Sequence, residues 1–353
     1  KEPLGSILNA GSVRMFQKSG NQWSEFTKFS MGDVQADDNL SAVSLSGSTL
    51  ALGSAYNNGE GAVYIYRWNG SAWTFSQKLT YPLSDSAPQF GLSLSLSGAI
   101  LAVGAPSYSA GGDAAFDRSG AAFVFRDNGS TFSLDSTVTL GAGNTNKGFG
   151  SSVSVSGNFL AVGAPQAITK ESLGAGTVYV YQLAAGSATL TKTLTAPNGA
   201  TGERFGDSVS LLGSSLAVGA PLYQKDANVK AGAFFYWANY LTSTATQVLD
   251  DEMYANTGAA VQLTPTHLYV SSPGATVSDG ALAGCVNRYK LSDLENTALK
   301  DKPIDFRLFS TNLMPSDFFG AGLSVSGNTV FVGARNKASP NNGAGAVYMF
   351  EAK

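Results

Sequence analysis

"FGSSVSVSGNFLAVGAP", residues 149–165, sets two alternating runs on either side of a Ser-Gly-Asn turn. The first run, Ser152 to Ser156, has period two, the signature of a strand with one face buried. The second, "LAVGA" from Leu160, is small and almost continuously apolar, as a strand covered on both faces would be. The glycine between them supplies the positive φ that a tight hairpin demands. The stretch reads as a β-hairpin, and the chain rewrites it several times.

Variants of the second run occur at residues 50–55, 101–106, 160–165, 216–221, 268–273 and 330–335. A further phrase, glycine followed by an apolar and aromatic strand, occurs as "GSVRMF" from Gly11, "GAVYIY" from Gly61, "GAAFVF" from Gly120, "GTVYVY" from Gly176, "GAFFYW" from Gly232, "GCVNRY" from Gly284 and "GAVYMF" from Gly345. A stub, "LGS" at residues 4–6, aligns with "LGS" at 52–54 and stands for the first copy of the earlier phrase. A more polar strand completes the unit as "WTFSQKLT" from Trp73, "FSLDSTVTL" from Phe132 and "LTKTLT" from Leu190. Seven units in 353 residues give a period of roughly 50, within the range of propeller blades.

The pattern predicts an all-β chain: a seven-bladed β-propeller of four-stranded antiparallel blades, with incomplete first and last blades. One domain, 1–353, would hold blade repeats at approximately 1–30, 31–81, 82–140, 141–196, 197–250, 251–310 and 311–353. A β-solenoid is the alternative, but its periods carry one short coil and not a full meander. Burial is expected to fall from strand one to strand four, because a strand bearing Lys and Thr suits a solvent-facing edge. The first unit lacks its opening strand and most of the second, while the last stops after "GAVYMF". Flanking sequence or a strand donated by another molecule would fill such gaps.

The pairing of Phe149-Gly150 with Gly163-Ala164-Pro165, and of Phe205-Gly206 with Gly219-Ala220-Pro221, resembles the FG-GAP repeat of the integrin alpha-subunit head. It is also similar to the FG-GAP proteins of bacterial and algal secretomes. The resemblance covers almost the whole chain and implies a propeller used for extracellular adhesion. It also implies calcium, which the residues do not support. Calcium-binding integrin blades carry an Asp-rich loop between their first two strands, since Ca²⁺ gathers six to eight oxygens. Here that position holds only Ser156-Gly157-Asn158 or its equivalents. The remaining cation candidates are Asp113 and Asp117 in "GGDAAFDRSG", and Asp33, Asp37 and Asp38 in "GDVQADD". No cofactor is expected.

Composition narrows the function further. With 22 Lys and Arg against 25 Asp and Glu, and no basic run, the chain lacks the clustered cations on which nucleic-acid affinity rests. No apolar run reaches the length of a membrane span. The sequence opens on Lys1 without Met or a signal peptide, as a processed secreted protein or a fragment would. The single cysteine, Cys285, rules out an internal disulfide and suits a small buried hydrophobe. The single histidine, His267, sits in the divergent turn "TPTH" with no evident partner for acid–base work. Lys147 in "GAGNTNKG" has a glycine-rich loop around it but precedes a strand, so it makes no phosphate loop. The acids Asp85, Glu203, Asp250, Asp251 and Asp317 are too scattered to declare a glycosidase pair.

These observations favour a non-catalytic extracellular or cell-surface interaction module that binds a protein or glycan. Its binding face would be the end that carries the long connections, because rigid scaffolds place recognition on variable loops. The residues expected there are Tyr108, Asp113, Asp117, Arg118, Tyr223, Lys225, Asp226 and Arg335. A structural subunit that polymerises with copies of itself is the alternative, and a glycan-processing enzyme a distant third. Asn39, Asn69 and Asn128 open Asn-x-Ser sequons, candidate glycosylation sites if the chain passes through a eukaryotic secretory pathway.

Overall fold

The structure, a computed structural model, describes residues 11–20, 22–29, 31, 33, 38, 40–81, 88–109, 118–141, 147–168, 173–197, 199–226, 229–249, 252, 254–277, 281–296, 302–337 and 345–351. The chain divides into two compact units, Lys1–Ser151 and Ser152–Lys353.

The first unit opens with a hairpin of β1 (Val13–Ser19) and β2 (Gln22–Phe29). One sheet follows from β3 (Leu40–Ser46), β4 (Thr49–Ser54), β5 (Ala62–Trp68) and β6 (Trp73–Thr80). The next is β7 (Ser93–Ser97), β8 (Ile100–Ala105), β9 (Ala121–Asp127) and β10 (Phe132–Thr139). Both are antiparallel meanders with the strands in chain order.

The second unit repeats the plan. Its first sheet is β11 (Ser152–Ser156), β12 (Phe159–Ala164), β13 (Thr177–Ala184) and β14 (Ser187–Leu194). In the second, β15 (Ser208–Leu212) and β16 (Ser215–Ala220) are followed by a small hairpin, β17 (Gln224–Asp226) and β18 (Val229–Lys230), before β19 (Ala233–Trp237) and β20 (Thr246–Leu249). The third sheet likewise inserts a hairpin, β23 (Thr276–Val277) and β24 (Ala281–Leu282), between the strands β21 (Val261–Leu263) and β22 (His267–Ser272) and the strand β25 (Cys285–Lys290). A short helix α1 (Leu291–Glu295) then leads to its outer strand β26 (Phe306–Leu308). The last sheet has three strands, β27 (Phe319–Ser326), β28 (Thr329–Ala334) and β29 (Ala346–Glu351). The second and third sheets of this unit therefore each carry a small hairpin in the connection between their second and third long strands.

These sheets are the blades of an all-β propeller, six among the described residues and not the seven expected. The first repeat accounts for the difference. Its residues 11–29 carry only the aromatic and polar strands, which pair as β1 and β2. The "LGS" stub lies outside the described residues.

The burial order also departs from expectation. The second and third strands are the most enclosed, with every residue of β4, β8 and β19 buried. Strand one is only partly covered, and Val43 and Leu45 of β3 are more than half exposed. A middle strand has a hydrogen-bonded neighbour on both sides and side chains packed on both faces. Strands one and four are sheet edges.

Two devices lock successive blades, and both explain residues that the repeat carries. The first is the FG pair itself. Phe205 is fully buried, its N–H donates to the Ala175 carbonyl at 3.0 Å, and it forms a parallel bridge with Gly176 of the preceding blade. Gly206, at φ 91°, then brings its carbonyl so close to Gly163 that a Cβ there would sit 2.0 Å from the oxygen. Only glycine permits that approach. The same contact joins Gly104 to Gly150 in the first unit and Gly219 to Gly258 in the second. The second device is a series of serine rungs. Ser93, Ser152 and Ser208 hydroxyls each donate to the carbonyl of the glycine in the next blade's opening turn, Gly150, Gly206 and Gly258, at 2.8 Å. Ser44, Ser154 and Ser210 accept from the N–H groups of Leu96, Leu211 and Leu263, all at 2.9 Å.

Candidate functional site

Each FG pair is the centre of a four-residue turn in which the flanking residues are free to vary. In the second unit the residue after the glycine donates back across the turn, from Asp207 to Arg204, from Ala259 to Asn256, where Thr257-Gly258 stands in place of Phe-Gly, and from Ala321 to Phe318. The glycine takes positive φ at the third position, as a type II turn requires. Unusually, the first position is also left-handed. Arg204, Asn256 and Phe318 have φ of 60°, 56° and 54°, a region that costs a residue with a Cβ about 1 kcal/mol or more. The blade-locking contacts of the next two residues hold them there.

These three turns, one from each of three consecutive blades, line a cavity of 380 Å³ together with Pro221, Leu222, Pro273 and Arg335. Pro221, Pro273 and Arg335 close the "GAP" phrase and Leu222 follows it; Arg335 stands where four other copies have proline and one has Ala55. The cavity thus samples the same repeat positions three times and lies at the roots of the long connections in this unit.

Charge in the cavity is uneven. Arg204 spends Nε and Nη2 on a single oxygen of Asp207, at 3.2 and 2.6 Å. Arg335 is exposed, with its guanidinium over the Phe318 ring, 4.7 Å from the centroid. Among the described residues no carboxylate pairs with Arg335. Two guanidinium groups therefore face one carboxylate. The half-buried Asn256 adds an amide that can both donate and accept.

The residues singled out by sequence fall in several places. Arg335 lines the cavity, and Arg118 is exposed at the end of its long connection. Lys225 and Asp226 belong to β17. Tyr108 and Tyr223 turn inward: Tyr108 packs against Tyr81 and Phe123, and Tyr223 against Phe235. Asp113 and Asp117 lie outside the described residues, as do Asp37, Asp85, Asp250, Asp251 and Asn39. Asn69 and Asn128 are exposed in the turns between third and fourth strands, and their side-chain oxygens accept backbone N–H groups of the turn. Cys285 is fully buried.

The charged groups considered for catalysis or metals have local tasks. Asp33 takes a hydrogen bond from the Tyr64 hydroxyl at 2.9 Å and pairs with Lys78, and Asp38 is buried and takes one from Asn57 at 2.8 Å. Glu203 is buried and accepts from the backbone of Ala200 at 2.8 Å; burial pushes its carboxyl above the usual range, only partly offset by that bond. Asp317 pairs with Lys337 at 3.2 Å and takes the Met314 N–H. His267 lies 3.7 Å from Asp305, a partner the sequence did not reveal, but that carboxylate is held by Arg288 at 2.5 Å and Lys290 at 3.2 Å. Burial lowers the affinity of His267 for a proton, with Arg288 adding to the effect. Among the described residues no three of His, Cys, Asp and Glu gather as metal ligands, and no helix is long and apolar enough to cross a membrane.

The cavity residues Arg204, Asp207, Asn256 and Phe318 escaped sequence reading. Their signal was a departure from the repeat: the first position of the turn, Gln89 or Gly148 in other copies, becomes Arg204, Asn256 or Phe318 here, and Asp207 follows the FG pair where Leu92 or Ser151 stands elsewhere.

Antiparallel blades locked edge to edge in this way make the chain a β-propeller. The FG-GAP repeat family model matches residues 133–181, 189–235 and 307–350, each time taking the outer strand of one blade and the first three strands of the next. The chain carries FG-GAP repeats in a propeller consistent with that of integrin alpha subunits. No curated protein matches it.

Proposed function

We propose that the chain is a non-catalytic interaction module of the cell surface or extracellular space, binding a protein or glycan through the end of the propeller that carries the long connections. FG-GAP propellers are interaction modules in general. The observation that carries the reading here is the cavity among Arg204, Asn256, Phe318 and Arg335, at the roots of those connections. The engagement of Glu203, Asp317 and Asp305 in structural pairs supports a non-catalytic role. Binding of the full chain to arrays of glycans and of extracellular proteins tests this. Any ligand found should be weakened by substitutions at Arg118 or Arg335, and binding indifferent to both would move the interaction elsewhere.

A second reading, assembly with copies of itself, is favoured by β29. Among the described residues β29 has a strand partner on one side only, and its Val347 and Met349 are exposed at 74% and 37%. Such an edge accepts a further strand. Light scattering on the full chain should then show species that grow with concentration, and a monomer at all concentrations would reject it.

A further inference from the structure

We infer that the cavity between the turns at Arg204, Asn256 and Phe318 holds an acidic sugar residue, a pyranose bearing a carboxylate or a sulfate; this rests on the interaction-module reading above and names its ligand class. The anion preference follows from Arg335. Its guanidinium offers five donors in a planar fork suited to a carboxylate or sulfate, and among the described residues only the Phe318 ring engages it. Arg204 also has Nη1 donors left after its two bonds to Asp207.

The sugar follows from the rest of the lining. A volume of 380 Å³ is far more than an Asp or Glu side chain fills. Pro221, Leu222 and Pro273 present C–H surface, against which the apolar face of a pyranose packs. The second carboxylate oxygen of Asp207 and the amide oxygen of Asn256 are acceptors, so a ligand that carries donors beside its negative charge uses the lining more fully than an anion alone. An acidic sugar carries hydroxyl donors beside its anionic group, whereas an acidic side chain offers only acceptors. The cavity also repeats one set of backbone turns at three successive blades, and those turns are fixed by the FG contacts and not by the ligand. A preformed site loses little on binding.

Titration calorimetry of the full chain tests the assignment with four probes: oligogalacturonate, a sulfated galactan oligosaccharide, the neutral galactan oligosaccharide and oligoglutamate. The acidic sugars should bind, and the neutral one and oligoglutamate should bind roughly tenfold more weakly or not at all. A tighter uronate identifies a carboxylated ligand and a tighter sulfated galactan a sulfated one. Arg335→Gln should weaken the acidic sugar by roughly tenfold or more. Asn256→Asp, which tolerates the left-handed backbone and adds a repelling charge, should do the same. Arg307→Gln, an equal charge change on the outer strand β26, should not. Failure of both acidic sugars to bind, or oligoglutamate binding as tightly, overturns the proposal. If the sugars bind and neither Arg335→Gln nor Asn256→Asp matters, the cavity is wrong while the interaction reading stands. If no glycan or protein binds at all, the reading itself fails.

Discussion

The turn at Gln89 in the first unit is closed by side chains, whereas the turns around the cavity in the second are open. At Gln89, left-handed at φ 58°, the side chain donates to the Tyr56 hydroxyl at 2.9 Å and accepts from Ser107 at 2.7 Å. Tyr56 and Ser107 occupy the position just after "GAP" in their two blades, so the chain of bonds ties one blade to the next. The corresponding residues in the second unit are Gln166, Leu222, Gly274 and Asn336, and Leu222 and Gly274, in the blades that carry the Arg204 and Asn256 turns, have no side-chain hydrogen bond to give. With the tether gone, the same turns border the 380 Å³ cavity. The same backbone serves as a clamp or as a binding pocket, and the difference lies in a few side chains that the blade contacts do not need.

The FG lock is indifferent to those side chains, and removing the lock has the largest effect on the fold. Phe205→Ala should cost about 3–5 kcal/mol in urea unfolding, as truncation of a fully buried aromatic does. Gly163→Ala should come next, at about 1–3 kcal/mol, because its methyl would meet the Gly206 carbonyl, and a backbone atom cannot swing aside. A cost near zero for either would mean that the blades are held by something else.

Acidity separates the units more gently. In the first, burial alone would raise the Asp127 carboxyl, but the hydrogen bonds from Arg67 and from the Gly129 N–H outweigh it and hold the group below 3.8. Its contribution is therefore present above 3.8 and is lost as pH falls through the lower folded value. In the second unit Glu203 is raised above its ordinary 4.5 by burial, so its contribution is present below 4.5 and lost as pH rises through the folded value. At neutral pH, Asp127→Asn should destabilise by about 1 kcal/mol, while Glu203→Gln should stabilise, its advantage fading as pH approaches 4.5. Thermal unfolding of both variants across that range reads the two opposite slopes.

Arg204→Gln with Leu222→Ser rebuilds in the second unit the amide and hydroxyl that face each other at Gln89 and Ser107. Stability should move by no more than about 0.5 kcal/mol, as for most surface changes, while binding at the cavity should be lost. Retention of binding by a variant that folds normally would show that the tether and the pocket are unrelated.

The long strands of the blades, the tight turns between them and the order of the blades were legible in the sequence, since each is written in residues that are neighbours along the chain; the inserted hairpins β17–β18 and β23–β24 were not. "SVSVSGNFLAVGA" becomes β11, a turn and β12, with Ser156 opposite Phe159. The count of blades was legible only where both halves of the repeat were present, which is why β1 and β2 remained a hairpin. The tertiary structure alone decided what the serines and the variable turn residues do. Ser154 meets the Leu211 N–H across 57 residues, and Ser210 meets Leu263 across 53, distances at which no local pattern registers. Arg204, Asn256 and the pair Phe318 and Arg335 come from three separate repeats, and nothing in the period says whether such positions close on a neighbour's side chain or stay open. Local conformation follows from residue type, whereas a site shared between blades follows from backbone contacts that bring distant positions together, here the FG carbonyl against the GAP glycine.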